Sequence, residues 1–192
     1  MNITKIFSAS VLLILFVACN NQPQMESKFK TVTSDTTQFY PLKNYLISQI
    51  KTVDKSEDKI SKVTITDGHK DSALITKETF DLLAKNFIEF NIADSSVKKF
   101  YTQNIFLDQT TNSNTFTYTT NNEDLPIQSA EVLLDAASND VKRIFFTVMA
   151  HSGDSSITKK MGWKNNSSFF INSIIQQKDK KETVQQTTVS WN

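Results

Sequence analysis

The sequence of 192 residues is poor in three residue types, with one cysteine, three glycines and three prolines. A single cysteine cannot form a disulfide within the chain, so the stability of the fold has to come from its hydrophobic core. The glycines, Gly68, Gly153 and Gly162, are too few and too far apart for a phosphate-binding loop or a dinucleotide-binding fingerprint. No serine has the two flanking glycines of a G-x-S-x-G nucleophile elbow.

Positive charge is equally limited. The 21 Lys and Arg residues are balanced by 20 Asp and Glu residues, and Arg143 is the only arginine. Binding to nucleic acid requires a positive surface that replaces counterions on the phosphates. The composition therefore argues against a nucleic-acid partner.

The N-terminus has the pattern of a secretory signal. Lys5 is followed by an uncharged, mostly apolar run over residues 6–18, and a polar segment begins after Cys19. The run is shorter than the roughly 20 apolar residues that a membrane-spanning helix needs. We expect residues 1–18 to be a cleaved signal peptide.

The sequence around the cysteine, Phe16-Val17-Ala18-Cys19, resembles the lipobox of bacterial lipoproteins, with Phe16 where that motif usually has Leu. The resemblance implies that the Cys19 thiol receives a diacylglycerol and that the signal is cut just before it. Two or three acyl chains form a stable membrane anchor. The alternative is a cleaved secretory signal next to an unmodified cysteine.

Two parts are predicted after the signal. Residues 19–37 are polar and rich in Asn, Gln, Ser and Thr, which indicates a lipidated cysteine followed by a flexible tether. Residues 38–192 have the length of a single domain. Helical spacing of apolar residues predicts an amphipathic helix over Pro41–Val53 and a second helix after Thr76, and Asp94 is expected to cap a short further turn.

A different period governs the rest of the domain. Alternation of apolar and polar residues predicts a short hairpin around Asp67-Gly68. From Tyr101 onward the same alternation predicts about seven strands joined by short polar links. Short links favour antiparallel neighbours. The expected fold class is α+β, with N-terminal amphipathic helices and a short hairpin followed by an antiparallel meander that forms a curved sheet. The predicted strands lie near residues 101–107, 114–120, 127–134, 141–149, 156–163, 168–175 and 184–191.

Histidine and serine residues offer little chemistry. His151 lies in "AHSGDSS", but adjacent residues of a hairpin rarely reach triad geometry, and no oxyanion loop accompanies them. Asp67, His69 and Asp71 alternate around a turn that disrupts a shared ligand direction, whereas zinc requires three or four converging ligands. We predict no catalytic residue, no metal site and no cofactor.

The tryptophans are the only weak candidates for ligand binding. Trp163 and Trp191, with Phe169 and Phe170, could form an aromatic platform for a sugar or a peptide. Large aromatic residues in alternating strands more often belong to the core, because each can bury 150–250 Å². The alternation places Met161 and Trp163 on the buried face of their strand and Lys160 on the wet face.

The mature region as a whole resembles uncharacterised lipoproteins of Bacteroidota, through "DLPIQSAEVLLD", "NDVKRIFF", "MGWKNNSSFFI" and "QQTTVSWN". This resemblance implies a cell-envelope lipoprotein and transfers no catalytic residue. We expect a non-catalytic binding or structural module, anchored by Cys19 in the outer membrane and facing the periplasm, whose partner is an envelope protein. The alternative is a carrier that holds an apolar ligand, a lipid or a lipoprotein, in a cavity between sheet and helices.

Overall fold

The computed structural model describes residues 29–32 and 38–192. The predicted signal peptide, Cys19 and most of the predicted tether lie outside the described residues. Within the tether, Phe29–Val32 forms a strand, β1. Among the described residues, no helix has the length and the apolar character needed to cross a membrane.

The remaining elements are three helices, one 3₁₀ turn and nine strands. The helical elements are α1 (Leu42–Lys55), α2 (Lys77–Ala84), the 3₁₀ turn (Lys85–Phe87) and α3 (Ser95–Lys98). The strands are β2 (Ile60–Thr66), β3 (His69–Ile75), β4 (Thr102–Asp108), β5 (Ser113–Thr119), β6 (Ile127–Asp135), β7 (Val141–Ser152), β8 (Ser155–Lys164), β9 (Ser168–Gln177) and β10 (Thr183–Trp191).

All described strands belong to one antiparallel sheet in the order β1-β4-β5-β6-β7-β8-β9-β10-β2-β3. The prediction of an antiparallel sheet is confirmed, and the sheet is accompanied by few helices. The number of strands differs, because the sheet has ten strands where a meander of about seven and a separate hairpin were expected. The hairpin joins the sheet through β2, which pairs with β10 from Ile60↔Trp191 to Thr66↔Gln185. Pairing between strands so distant in sequence leaves no local signal in either strand.

Local sequence accounts for the helix starts. The Thr76 Oγ1 atom accepts a hydrogen bond from the Thr79 backbone N–H, and Asp94 Oδ1 accepts one from Ser96 N–H at 2.9 Å. Both residues therefore cap their helices as predicted. Pro41 immediately precedes α1 and provides no side-chain cap, while its carbonyl accepts the Tyr45 N–H.

The core lies between the helices and one face of the sheet, here called the inner face. Phe80 of α2 and Phe87 of the 3₁₀ turn pack onto Trp163, Phe169 and Trp191 of the sheet, with ring centroids 5.2–6.4 Å apart. Most of these contacts are tilted or edge-to-face, the arrangement that aromatic quadrupoles favour. The helices and the sheet thus share one aromatic cluster.

Hydrogen bonds fix α1 to the end of the sheet. The Tyr45 hydroxyl donates to Asn165 Oδ1 at 2.7 Å, and the Asn166 backbone N–H donates to Gln49 Oε1 at 3.1 Å. Asn165 and Asn166 both belong to the β8–β9 turn, in which Asn166 adopts a positive φ of 48°. The helix layer is therefore fixed over β8 and β9, and the opposite face of these strands carries no helix among the described residues.

Candidate functional site

The structure places both tryptophans in the core. Trp163 is 1% exposed and Trp191 is 5% exposed, and the Trp163 ring stacks on Phe169 with 5.2 Å between centroids and 20° between planes. Neither ring is accessible to a ligand, so the burial supports the core alternative for Trp163 and Trp191.

The two histidines are exposed and far apart. His69 begins β3 and His151 lies near the end of β7, so five strand spacings separate them, on the order of 24 Å along the sheet. His151 pairs with Ser156 across the two-residue loop between β7 and β8. Within residues 38–192, no group of three or more His, Cys, Asp or Glu residues could hold a metal ion.

A groove of about 380 Å³ lies on the outer face of the sheet, opposite the helices. We call it the outer groove. It is lined by residues of β7, β8, β9 and β10, among them Arg143, Phe145, Lys164, Phe170 and Gln186, around Gly162. The volume is within the range of small-ligand sites, at the small end.

Gly162 shapes the floor of the outer groove. It lies in register between Phe145 of β7 and Phe170 of β9. A Cβ atom on Gly162 would lie 2.3 Å from Phe170 Cε1 and 3.0 Å from Phe145 Cδ1, so the two rings occupy the space above the glycine. Both rings are half-buried, and their centroids are 6.4 Å apart. Because the rings lean over the strand, part of their surface remains open to the groove.

Positive charge collects at one end of the outer groove. Arg143 and Lys164 are direct cross-strand partners, and both are exposed. Like charges placed directly opposite each other destabilise a sheet. The one ion pair among residues 38–192 joins Lys142 to Asp135 at 3.0 Å, so neither Arg143 nor Lys164 is neutralised by a carboxylate there.

Polar side chains form the rest of the wall. Asn172 of β9 and Gln186 of β10 are cross-strand partners, and Thr188 is the partner of Phe170. None of these three side chains forms a hydrogen bond to another described residue, so their amide and hydroxyl groups are free to contact a ligand. The wall can therefore donate and accept hydrogen bonds beside an aromatic surface.

Sequence reasoning missed the outer groove, although one signal pointed to it. A glycine inside a strand often marks a place where another group approaches the backbone closely. Gly162 has that position in "KKMGWK" and is neither in a turn nor at positive φ. The same reasoning had grouped Phe169 and Phe170, whose side chains lie on opposite faces: Phe169 is 1% exposed in the core, and Phe170 lines the groove.

A second groove, of about 280 Å³, lies where the segment around α3 meets the β5–β6 loop, with Phe90, Val97 and Leu125 in its wall. Its charged residues, Lys43, Glu89 and Asp94, are of both signs. It has less volume than the outer groove and no net excess of positive charge.

The outer groove presents aromatic, amide and cationic groups in its lining. Its described lining contains no His, Cys, Asp or Glu, the side chains that most often act as bases or nucleophiles. No protein-family model, no curated protein and no solved structure matches the chain.

Proposed function

We propose that the protein is a lipid-anchored protein of the cell envelope whose folded part is a non-catalytic binding module, with the outer groove as its binding surface. The anchor is Cys19, which follows the apolar run of the signal, and the proposed location is the periplasmic side of the outer membrane. β1 begins at Phe29, and residues 20–28 can extend to about 30 Å at most. The domain would therefore remain close to the membrane surface.

The observation that carries the proposal is the asymmetry of the sheet. The inner face of β7–β10 carries the core residues Trp163, Phe169 and Trp191, while the outer face of the same strands holds two half-buried phenylalanine rings beside two cations that have no carboxylate partner among the described residues. Like charges directly opposite each other destabilise a sheet, and the uncovered part of the two rings leaves apolar surface in contact with water. A partner that covers the rings and neutralises the charges would offset that cost.

The packing of the interior supports a binding module over a carrier. A carrier needs a cavity between sheet and helices, whereas Phe80, Trp163 and Phe169, each less than 2% exposed, occupy that space. Phe80 packs against Trp163, Phe169 and Trp191, with ring centroids 5.4–6.4 Å away. The alternative of an apolar ligand between the layers therefore has no observation in its favour.

Photo-crosslinking in the producing cells tests the proposal. A benzophenone amino acid replaces Phe170 in the outer groove, and the matched control replaces Lys51, which is exposed on α1. After irradiation, a discrete adduct is expected from position 170 and not from position 51. The same adducts from both positions, or none from position 170, would contradict a binding role for the groove.

A labelling experiment tests the anchor separately. Metabolic labelling with a palmitate analogue should mark the wild-type protein and leave Cys19→Ala unlabelled. The variant should either retain its signal or leave the membrane fraction. Equal labelling of both forms would refute the lipid anchor without bearing on the groove.

A further inference from the structure

The outer groove combines three kinds of contact. Phe145 and Phe170 provide aromatic surface, Asn172 and Gln186 provide amides, and Arg143 and Lys164 provide positive charge. Few small molecules satisfy all three at once. A complementary ligand has an apolar face, groups that donate or accept hydrogen bonds, and an anionic group at one end.

The strands under the groove restrict the class of ligand. β7, β8, β9 and β10 are each paired on both sides, so no free backbone edge is available to a peptide that adds as a strand. Recognition must come from side chains alone. Because the groove is an open depression on a sheet rather than a deep slot, it does not offer a channel for an acyl chain.

The charges match an anion of small size. Of the residues in register on the outer face of β6–β8, Arg143, Lys160 and Lys164 are cationic, and Glu131 is the one carboxylate. Glu131 is the cross-strand partner of Phe145, on the side of the rings away from Lys164 and Phe170. An anionic surface that extends from β6 to β8 would meet this carboxylate, whereas an acid group between Arg143 and Lys164 would lie on the β8 side of it.

We infer that the outer groove binds an acidic sugar residue of a polysaccharide, with the carboxylate at Arg143 and Lys164 and the sugar ring against Phe170. The apolar C–H face of a pyranose covers an aromatic ring, and its hydroxyl groups fit the free amides of Asn172 and Gln186. An arginine beside a carboxylate forms charge-assisted, often bidentate, hydrogen bonds. This inference rests on the proposed binding function and names its ligand class.

The test uses the full lipidated protein in a neutral detergent and measures fluorescence anisotropy of labelled trigalacturonate. We expect saturable binding with a Kd between about 10 µM and 1 mM. The methyl ester of the same trisaccharide, which keeps the rings and loses the charge, should bind at least about tenfold more weakly.

Variants locate the binding. Arg143→Gln should lower the affinity about tenfold or more, whereas Lys51→Gln, with the same change of charge on α1, should leave it unchanged. Phe170→Ala should weaken the acid and the ester by a similar factor, because it removes stacking and keeps the cations. Circular dichroism verifies that each variant is folded.

Several outcomes would overturn the inference. They are equal binding of acid and ester, unchanged binding by Arg143→Gln, or no binding of trigalacturonate at all. Binding of glycerol phosphate or hexaglutamate through Arg143, with no binding of trigalacturonate, would assign the groove to a different anion. In each of these cases a crosslink from position 170 would still support the binding function, and its absence would refute that function independently.

Discussion

Replacement of Gly162 by alanine tests how the floor of the outer groove is built. The added Cβ would lie 2.3 Å from Phe170 Cε1 and 2.7 Å from Phe170 Cζ, far inside ordinary contact. Both atoms are at the far end of a half-buried side chain that borders an open groove. The ring of Phe170 can therefore move outward, at the expense of its contacts with Gly162 and Phe145.

Two opposing terms set the magnitude. Overpacking that forces a side chain from its place costs about 1–3 kcal/mol. Replacing a strand glycine by alanine returns about 0.5–1 kcal/mol, because the unfolded chain loses freedom and the glycine is not at positive φ. We expect Gly162→Ala to lower the free energy of unfolding by about 0.5–2 kcal/mol in the wild-type background.

A double-mutant cycle isolates the ring contact. In the Phe170→Ala background the closest obstacle is gone, so Gly162→Ala should be neutral or stabilising by up to about 1 kcal/mol. Urea denaturation of the four proteins, followed by far-UV circular dichroism, gives the free energies. If Gly162→Ala has the same effect in both backgrounds, the Phe170 ring does not occupy the space above Gly162 and the geometry of the groove floor is wrong.

Three further predictions concern the core and the helices. Trp163→Ala should lower the free energy of unfolding, measured by urea denaturation, by about 3–5 kcal/mol, because it leaves a large cavity. Lys160→Ala, on the other face, should lower it by less than about 0.5 kcal/mol. The reverse ranking would mean that the faces of the strand are misassigned by one residue. Burial, followed by the neighbouring Asp54 carboxylate, raises the pKa of Asp81, so the ionised form is less stable in the folded chain and stability is lost as pH rises above the ordinary carboxyl range. Asp81→Asn should therefore raise the Tm at pH 7, with a gain that shrinks toward pH 4. The control is Glu78→Gln, which should lower the Tm at pH 7 because the pKa of the Glu78 carboxyl is lowered, chiefly by a backbone hydrogen bond. Scanning calorimetry at both pH values measures these changes, and a change in Tm of the same sign for both variants at pH 7 would refute the Asp81 assignment. An apolar fluorescent probe titrated against the folded protein should show no stoichiometric site, and saturable micromolar binding would instead indicate a cavity between sheet and helices.

Much of the secondary structure could be predicted because its signals are local. Thr76 and Asp94 mark helix starts because their side chains accept hydrogen bonds from backbone N–H groups two or three residues later. Asp67 and Gly68 both adopt positive φ, at 47° and 89°, the conformation expected of a two-residue hairpin turn. Alternation in β8 correctly separates buried Trp163 from exposed Lys160, since each side chain's face follows from its position in one strand.

The pairing of β2 with β10 and the outer groove both depend on residues that are distant in sequence, and for that reason neither was predicted. β2 contacts β10 across more than a hundred residues of sequence, and neither strand contains information about its partner. The groove needs Arg143 of β7, Gly162 of β8 and Phe170 of β9 to fall into neighbouring rows, which depends on the register of two strand pairs. A register shift of one residue in either pair would place Phe170 or Arg143 elsewhere.

The same strand that buries the core also supports the outer groove, and this coupling bears on how rigid the site is. Gly162 and Trp163 are consecutive residues of β8, so the backbone that holds the groove floor is fixed from below by Trp163, the largest of the fully buried side chains among the described residues. β7, β8 and β9 are ten to twelve residues long and paired on both sides, which leaves the floor little freedom to move. A site built on such strands is held in its binding geometry before a ligand arrives, so less conformational entropy is lost on binding. Mobility should then be confined to the ends of the Arg143 and Lys164 side chains, which are exposed and have no carboxylate partner among the described residues. These are the atoms that a carboxylate would order.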